Sequence, residues 1–502
     1  MKKELARVGF AWQPADPTDR EVCDMIDKVI FQTLGTQGLR KIIRQGDKVV
    51  LKVNLVGPHL GARGEKGRSI ITDPRVVRYV AELVRKIIGF GHGASLKVVD
   101  ATMYTDPNPS LKHEKGSFYW GRLERTGDNA IDPEDVTYDF NANGILDGDS
   151  QAEIVNLDGI TEDKRQLFDV EMADGSIIKV SFPKFLRTRE QARNTDSLNE
   201  YTDVFIGLPL LKSHGLHGIT GALKLHYGIR HRLGMQGDHG RFGHSGLLPD
   251  EKGLHNVDRL TNYLCAQHKV RSYDFCIMDC ITANRIGPLS PVGAVQFQPS
   301  FDYPADYIIA GAMMASTDPV ALDTAEVALA GYEQNSIPIL KAAAEQGLGQ
   351  NNPALIQIVG SPFFSNHRQF LWNKYNQKGQ RSRYPLEDGH GGARAMKTVE
   401  PNHTIYASPP NKTAKNVYNI DFSITRTGQN PRRRIVRVDL VLTDDNLIDF
   451  HIGNNIAGGY FTLDLNKHPE LLGSDITYTA LAWDDTFNCV HSMERFIIHD
   501  IL

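Results

Sequence analysis

The chain has 502 residues, which exceeds the usual size of one domain and predicts a large core with at least one further module. Its 56 lysine and arginine residues nearly balance its 60 aspartate and glutamate residues, without long runs of one sign, so nucleic acid is not an expected partner. No apolar run approaches the roughly 18 residues that cross a bilayer, and we expect no membrane span.

The first hundred residues alternate apolar runs with amphipathic patterns. ARVGFAW, KVVLKVN and SLKVVDA are typical of buried strands, and helices are predicted after Asp19 and after Asp73-Pro74. This rhythm predicts parallel βαβ units, and therefore an α/β fold with a mainly parallel sheet and helices on both faces. The N-terminus enters its first strand without the apolar stretch of a signal peptide.

An insertion at about 105–200 interrupts this rhythm and is rich in Asp, Gly and Asn. YDFNANGILDGDS has the ligand spacing of a calcium loop, and Gly144 stands at its turn position. The predicted ligands are Asp139, Asn141, Asn143, Ile145 (through its carbonyl) and Asp147. An Asx-rich turn that bonds its own backbone is the alternative, and a bound calcium would brace the insertion. AEIVNL, LFDVEMADG and SIIKVSF predict a hairpin that forms a lid or wall beside the core.

The α/β pattern resumes near residue 200, so the core is predicted to span 1–360. Its later elements are the strand DVFIGLPLL, a helix at 256–268, the strands YDFCIMDCI and DYIIAGAM, a helix after Asp318-Pro319, and the strand ALIQIVG. Residues 361–394 are polar and predict an extended arm or linker. Six short strand-like runs follow within 395–502, and they predict a separate antiparallel β-sandwich of immunoglobulin or fibronectin type.

Five cysteines are scattered along the chain, and only Cys276 and Cys280 are close together. They lack the CxxC spacing of sulfur-ligated sites, so no iron-sulfur cluster is expected. The localisation stays open. The calcium-type loop and the appended sandwich favour an extracytoplasmic protein, whereas the missing signal peptide argues against export.

Four segments together carry a family resemblance: LKVNL, ITDPRVV, LPLLKSHGLHGITGALKLHYG and ASTDPVALDTAEVALAGY. They resemble the family called domain of unknown function 362, although Val53 replaces the proline usual in the first segment. The resemblance covers only the α/β core. It implies the fold and a set of candidate positions, and it implies no particular reaction.

The candidate site lies where predicted strands end, because parallel strands place ligands at their carboxyl ends. The candidates for catalysis are Lys212, His214 and Lys224. The candidates for ligand binding are Lys52, Asn54, Thr72, Asp73, Thr220, His239, Asp279 and Asp323, and Asp100 ends another strand. Lysines attract anions and imidazoles bind metals or move protons, so we expect a small anionic ligand, with a divalent transition metal as an option.

Other interpretations of the same residues stay open. The histidines between 214 and 255 also suit a solvated surface loop, and the aspartates also suit helix caps and turns. GLHGITGALKLHYGI is also similar to the lysine loop of nickel-dependent lactate-racemase-like enzymes, which implies proton or hydride chemistry. The remaining alternative is a non-catalytic binding or assembly protein, whose sandwich and arm mediate self-association or surface contacts. Whether the protein is an enzyme is left undecided.

Overall fold

A computed structural model describes the elements of the core and of the C-terminal module. The described residues are 5–13, 16–55, 69, 71–89, 91, 93–101, 152–157, 160–193, 195, 197–214, 218–229, 256–284, 307–330, 334, 337–360, 403–426, 435–443, 449–452, 459–467, 475–484, 489–491 and 496–499. Among these residues, no helix combines the length and the apolar character that crossing a membrane requires.

The chain begins with strand β1 (Ala6–Trp12) and helix α1 (Asp19–Leu34), both of which the sequence predicts. Thr18 and Glu21 form a reciprocal cap at the start of α1. The Thr18 side chain accepts from the Glu21 backbone at 3.3 Å, and the Glu21 carboxylate accepts from the Thr18 backbone at 2.8 Å. A cap of this kind stabilises a helix start by about 1 kcal/mol.

The next unit consists of β2 (Lys48–Val53), α2 (Pro74–Ile88) and β3 (Ser95–Asp100), and β2 pairs with β3 in parallel. The Asp73 carboxylate caps α2 by accepting from the Arg75 backbone at 2.9 Å. Proline at the first helical position fits there, because that position has no intrahelical partner for an N–H group.

The described part of the insertion contributes to the core. Strand β4 (Ala152–Asn156) pairs in parallel with β3 and forms one edge of the main sheet. Strands β5 (Arg165–Glu171) and β6 (Ile177–Pro183) form the hairpin that the sequence predicts, and a short helix α3 (Arg189–Arg193) follows. The run AEIVNL therefore belongs to the main sheet, where it covers the outer side of β3.

The second half of the core contains the remaining strands and helices. They are β7 (Val204–Leu208), β8 (Leu210–His214), β9 (Gly218–Ile219), α4 (Gly221–Leu225), α5 (Asn256–Val270), β10 (Phe275–Asn284), β11 (Tyr307–Ser316), α6 (Pro319–Ala330), α7 (Pro338–Glu345) and β12 (Ile356–Val359). The predicted strand DVFIGLPLL is divided at Pro209, which lacks the N–H that a continuous ladder needs. The long strand β10 pairs with β7 and then with β8.

The described strands of the core form one ten-stranded sheet with the order β12-β1-β11-β10-β7-β2-β3-β4, while β8 pairs with β10 and β9. Strand β11 runs antiparallel to both of its neighbours, β1 and β10. The pairs along β10-β7-β2-β3-β4 are parallel. The sheet is therefore mainly parallel, as the sequence predicts, and the reversed strands among those described are β11 and the two-residue β9, which runs antiparallel to β8.

Helices cover both faces of this sheet. Helices α1 and α2 pack on one face, where Val22, Val80 and Leu51 share a hydrophobic cluster. Helices α4, α5, α6 and α7 pack on the other face together with the β5–β6 hairpin. Each fully buried aliphatic side chain in these layers contributes about 1.5 to 3 kcal/mol. Short 3-10 turns occur at Gly38–Lys41, Glu162–Lys164, Lys184–Leu186, His226–Ile229, Pro353–Leu355 and Leu465–Lys467.

The C-terminal module consists of two antiparallel sheets. Its described strands are β13 (His403–Ala407), β14 (Asn411–Ala414), β15 (Val417–Arg426), β16 (Ile435–Thr443), β17 (Asp449–Ile452), β18 (Tyr460–Asp464), β19 (Asp475–Asp484), β20 (Cys489–His491) and β21 (Phe496–His499). One sheet contains β13, β14, β15 and β18, and the other contains the remaining strands. Buried residues of both sheets, such as Ile420 and Tyr478, share one hydrophobic cluster, which is the arrangement of a sandwich.

Candidate functional site

A buried ion pair joins the carboxyl ends of β2 and β3. Lys52 Nζ lies 2.5 Å from Asp100 Oδ1, and the two side chains are only 1% and 4% exposed. Lys52 also donates to the Val53 carbonyl at 2.8 Å, and Asp100 Oδ2 accepts from the Leu55 backbone at 2.5 Å. Burial lowers the pKa of Lys52 and raises the pKa of Asp100, and their mutual attraction opposes both shifts.

The turn His226–Ile229 lies directly on this ion pair. A Cβ atom at Gly228 would lie 2.7 Å from Lys52 Nζ and closer still to Asp100 Oδ1, so only glycine fits there. The glycine-rich segment that follows β8 and the end of β2 therefore meet on one face of the sheet. This is the arrangement on which the predicted site depends.

Lys212 lies on β8 and is 1% exposed. Burial lowers the pKa of Lys212 to about 7, and the nearby carboxylates of Asp100 and Glu326 oppose that shift. The Lys212 backbone donates to Glu326 Oε1 at 3.4 Å, and its carbonyl accepts from the Thr220 backbone at 2.8 Å. Near neutral pH this side chain is therefore a mixture of ammonium and neutral amine.

Helix α6 supplies two buried carboxyl groups, Asp323 and Glu326, opposite the start of α4. The backbones of Ala222 and Leu223 donate to Asp323 at 2.6 and 2.8 Å. A Cβ atom at Gly221 would lie 2.5 Å from Glu326 Oε2 and 2.6 Å from Asp323 Oδ1, and its φ is +51°. Burial raises the pKa of Asp323 to about 7 and the pKa of Glu326 well above its ordinary value. Burial therefore favours the protonated form of Glu326.

Thr220 and Lys224 complete this group from either side of Gly221. Thr220 is 7% exposed, and its Oγ1 atom has no hydrogen-bond partner within the described part of the chain. Lys224 is 6% exposed, and its Nζ lies 5.9 Å from the centre of the Tyr227 ring. We call these residues the lysine cluster: Lys52, Asp100, Lys212, Thr220, Lys224, Asp323 and Glu326. The cluster combines cationic, carboxyl and hydroxyl groups that are almost entirely removed from water.

A second group, the aspartate cluster, links the turn after β2 to the start of α2. It consists of Asn54, Thr72, Asp73, Arg75 and Asp279. The Thr72 hydroxyl accepts from the Asn54 backbone at 3.0 Å and donates to the Leu208 carbonyl at 2.8 Å. Asp279 accepts from the Asp73 backbone at 2.7 Å, and Arg75 Nη2 lies 2.7 Å from Asp73 Oδ2. Burial, reinforced by the neighbouring Asp73, raises the pKa of Asp279 to about 7.

The two clusters lie on opposite layers of the core. Met278 and Cys280 belong to the hydrophobic cluster of α4 and α6, whereas Ile277 and Ile281 belong to that of α1 and α2. Because side chains alternate along a strand, Asp279 points towards α2 and away from Lys212. The structure thus brings together Lys52, Lys212, Thr220 and Asp323, with Lys224 in the short helix that begins next to Thr220. It places Asn54, Thr72, Asp73 and Asp279 together elsewhere. In the aspartate cluster, the carboxyl groups of Asp73 and Asp279 accept from backbone N–H groups at the start of α2.

The described histidines that follow β8 belong to the core. The rings of His226 and His268 stack with centroids 3.7 Å apart. Both Nε2 atoms face carbonyl oxygens, that of Arg271 at 2.7 Å and that of Leu223 at 3.0 Å, so both carry a hydrogen. Burial lowers the pKa of His226 well below its ordinary value and that of His268 to about 4. Both rings are neutral at physiological pH.

Some predicted residues lie outside the described part of the chain. They are His239, the calcium loop Asp139, Asn141, Asn143, Ile145 and Asp147, and the side chain of His214, whose backbone ends β8. Within the described ranges, no group of three or more His, Cys, Asp or Glu side chains could hold a metal ion. Calcium and transition-metal binding stay predictions.

Two residues at the lysine cluster were not predicted from the sequence. Glu326 belongs to the cluster, and Gly228 covers it. A signal for Glu326 was present. Asp323 and Glu326 stand three residues apart in PVALDTAEVALA, a helix whose other residues are almost all apolar, so both carboxyl groups had to be buried on one side. Gly228 gave no comparable signal, because glycine in a turn is common.

Comparisons with known proteins identify the core. The family described as "Domain of unknown function (DUF362)" matches residues 49–328, which is more than half of the chain. No curated protein gives a significant match. One similar solved structure is the lactate racemase apoprotein from Thermoanaerobacterium thermosaccharolyticum, with 13% sequence identity and a TM-score of 0.30, over 65% of this chain and 58% of that chain.

Proposed function

This chain belongs to the DUF362 family, and we propose that its α/β core binds a small anionic molecule. The proposed binding site is the lysine cluster, where β2, β3 and β8 end. The observation that carries the proposal is Lys212, a buried lysine within electrostatic reach of Asp100 and Glu326 at the carboxyl end of a mainly parallel sheet.

The charges of the cluster favour an anion. The Lys52 charge is compensated by Asp100 at 2.5 Å. Burial raises the pKa of Glu326 well above the ordinary value and so favours its neutral, protonated form. A bound carboxylate or phosphate would stabilise the ammonium form of Lys212, which burial otherwise disfavours. Anion binding and protonation of Lys212 should therefore reinforce each other.

A hydroxyl group supplies directional recognition beside these charges. The Thr220 backbone donates to the Lys212 carbonyl at 2.8 Å, so Thr220 adjoins Lys212 across the strand end. Its Oγ1 atom lacks a hydrogen-bond partner among the described residues, and an unsatisfied buried hydroxyl costs about 1 to 3 kcal/mol. An oxygen atom of a ligand would relieve that cost.

The test is a binding titration with inorganic phosphate, acetate, lactate and pyruvate as probes, followed by calorimetry and thermal shift. A probe at a hundred times its Kd should add about 2.7 kcal/mol to the stability of the core. Lys224→Gln and Lys212→Met should each weaken binding at least about tenfold, which corresponds to about 1.4 kcal/mol. Lys341→Gln, at a lysine whose side chain is 77% exposed, is the matched control and should bind normally.

The proposal fails if no probe binds the wild-type protein. It also fails if binding survives unchanged in Lys212→Met and Lys224→Gln, since the anion would then lie elsewhere. Circular dichroism of each variant shows whether a loss of binding comes from a loss of folding.

One observation favours assembly through the C-terminal module as a second candidate function. Tyr406 and Tyr460 are 46% and 49% exposed. They pair with Ser423 and Asp421 of β15, so they flank one strand on the outer face of a sheet. Exposed tyrosines are enriched at protein interfaces. Sedimentation of the wild type and of the double variant Tyr406→Ser, Tyr460→Ser would test self-association, which the substitutions should abolish.

A further inference from the structure

We propose that the anion bound at the lysine cluster is a 2-oxo acid, and that Lys212 holds it covalently as an imine. This inference rests on the proposed function, because the site must first bind the carboxylate of the same molecule. It adds a chemical requirement that simple anion binding lacks, namely a carbonyl carbon within reach of the Lys212 nitrogen.

The position of Lys212 suits a nucleophilic amine. Its side chain is 1% exposed at a strand end, within electrostatic reach of Asp100 of β3 and Glu326 of α6. Because burial lowers its pKa to about 7, about half of the side chains are neutral amines at pH 7. An ordinary lysine has a neutral fraction of less than about 1 in 1,000 at that pH. Desolvation of a lysine is a recognised route to imine formation.

Glu326 is placed to supply the proton that imine formation requires. Its Oε1 atom lies 3.4 Å from the Lys212 backbone nitrogen, and its Oε2 atom has no hydrogen-bond partner within the described residues. The same carboxyl group lies against Gly221, where no side chain could intervene. Burial raises the pKa of Glu326 and favours its protonated form, which can donate to an oxygen that gains negative charge.

The remaining groups of the cluster suit the carboxylate end of a 2-oxo acid. Lys224 offers a positive charge, and the Thr220 hydroxyl offers a donor beside Lys212. Phosphate or acetate would satisfy the same groups, but neither presents an electrophilic carbonyl to a neutral amine. Only a molecule with both functions uses the lysines and the protonated Glu326 together.

The step balances without any redox partner. The Lys212 nitrogen lone pair attacks the carbonyl carbon, a C–N bond forms, and the C=O electron pair moves to oxygen, which takes the Glu326 proton. The nitrogen then loses a proton to the Glu326 carboxylate. Glu326 returns that proton to the hydroxyl group, which leaves as water while the nitrogen lone pair forms the C=N bond of a protonated imine. The protonated imine gives its N–H proton to the Glu326 carboxylate, so amine and 2-oxo acid give imine and water, and Glu326 ends protonated.

The test is reductive trapping on the full chain at pH 7, with pyruvate as the probe and sodium cyanoborohydride as the added reductant. Digestion and mass mapping should find one reduced pyruvate unit on Lys212, and at most about a tenth as much on Lys341, an exposed lysine of ordinary type. Glu326→Gln should slow trapping at least about tenfold, since it removes the proton donor. Acetate, which binds without a reactive carbonyl, should compete with trapping.

The outcomes separate the two proposals. If pyruvate and phosphate bind with Lys212 dependence but no adduct forms on Lys212, the imine is wrong and anion binding stands. Adducts spread equally over exposed lysines would also overturn the imine. If no anion binds, both proposals fail. The decisive measurement uses wild-type protein, so it does not depend on whether a variant folds, and Glu326→Gln is checked for folding by its thermal transition.

Discussion

Replacing Asp100 with asparagine should destabilise the α/β core by about 3 to 5 kcal/mol, because it leaves the Lys52 charge buried without its counterion. The ion pair is 2.5 Å long, and its side chains are 1% and 4% exposed, so water cannot take over the role of the lost carboxylate. Asparagine preserves the shape and can still accept from the Leu55 or Ala101 backbone, which isolates the effect of charge.

The assay is thermal unfolding of the full chain. For a core of this size, each kcal/mol lowers Tm by about 2 to 4 °C, so we expect a fall of roughly 6 to 20 °C. The double variant Lys52→Met, Asp100→Asn should recover most of that loss, since it removes the stranded charge as well. Lys179→Gln serves as the control, because its partner Asp169 is 3.8 Å away and both side chains are more than 60% exposed.

A Tm for Asp100→Asn within about 1 °C of the control would refute this reasoning. So would a double variant that is less stable than the single variant. The first result would mean that the pair is already neutral, with the lysine proton transferred to the carboxylate. The second would mean that Lys52 stabilises the core even without its counterion.

Three further predictions concern the residues around the lysine cluster. Gly221→Ala should cost about 1 to 3 kcal/mol in thermal unfolding, because its Cβ would lie 2.5 Å from Glu326 Oε2 at a φ of +51°. Asp323 has a raised pKa of about 7, so its contribution to stability is present below about pH 4 and is lost as pH rises through 7; Asp323→Asn should flatten that part of the stability profile. His268 has a lowered pKa of about 4, so the stability that it maintains above about pH 6.5 is lost as pH falls through 4. In His268→Gln, the free energy of unfolding should therefore fall by about 3 kcal/mol less over that pH range than in the wild type.

Each of these predictions has its own check. Gly91→Ala, at a glycine with positive φ and no atom within 4 Å of the added Cβ, separates backbone strain from the close contact at Gly221. Urea unfolding between pH 4 and 8 measures both titrations. An unchanged pH profile in Asp323→Asn would place the titrating group elsewhere, and a His268→Gln profile as steep as the wild type would contradict the neutral histidine pair.

Most strands of the core could be predicted because they are buried on both faces and therefore form largely apolar runs. The antiparallel orientation of β11 could not be predicted. The apolar run DYIIAGAM shows that the strand is buried, but it does not show whether the strand runs parallel or antiparallel to its neighbours. The membership of β4 in the main sheet was missed for a related reason. AEIVNL follows a polar stretch, and its partner β3 is more than fifty residues earlier in the chain. The short strands β13, β14 and β20 were also missed.

The grouping of the candidate residues could be predicted in part. Strand ends pointed to Lys52 and Lys212, which do lie on one face of the sheet. The Asp279 side chain points to the other face, because side chains along β10 alternate between the two faces of the sheet. Which face each side chain takes depends on the register of the strand. The histidine-rich string suggested metal or proton chemistry, yet His226 packs against His268 inside the core. The closeness of histidines in the sequence does not show whether one of them lies in a surface turn or packs inside the core.

The pairing of β4 with β3 means that the insertion cannot be cut out as a detachable accessory. Shortening the chain between residues 105 and 200 would strip β3 of its outer neighbour and expose a row of unpaired N–H and C=O groups. The Arg165 guanidinium, which donates to the Ile229 carbonyl at 2.8 Å, would be lost as well. An engineer who wants a minimal version of this core should therefore keep 152–193 and trim only what precedes it.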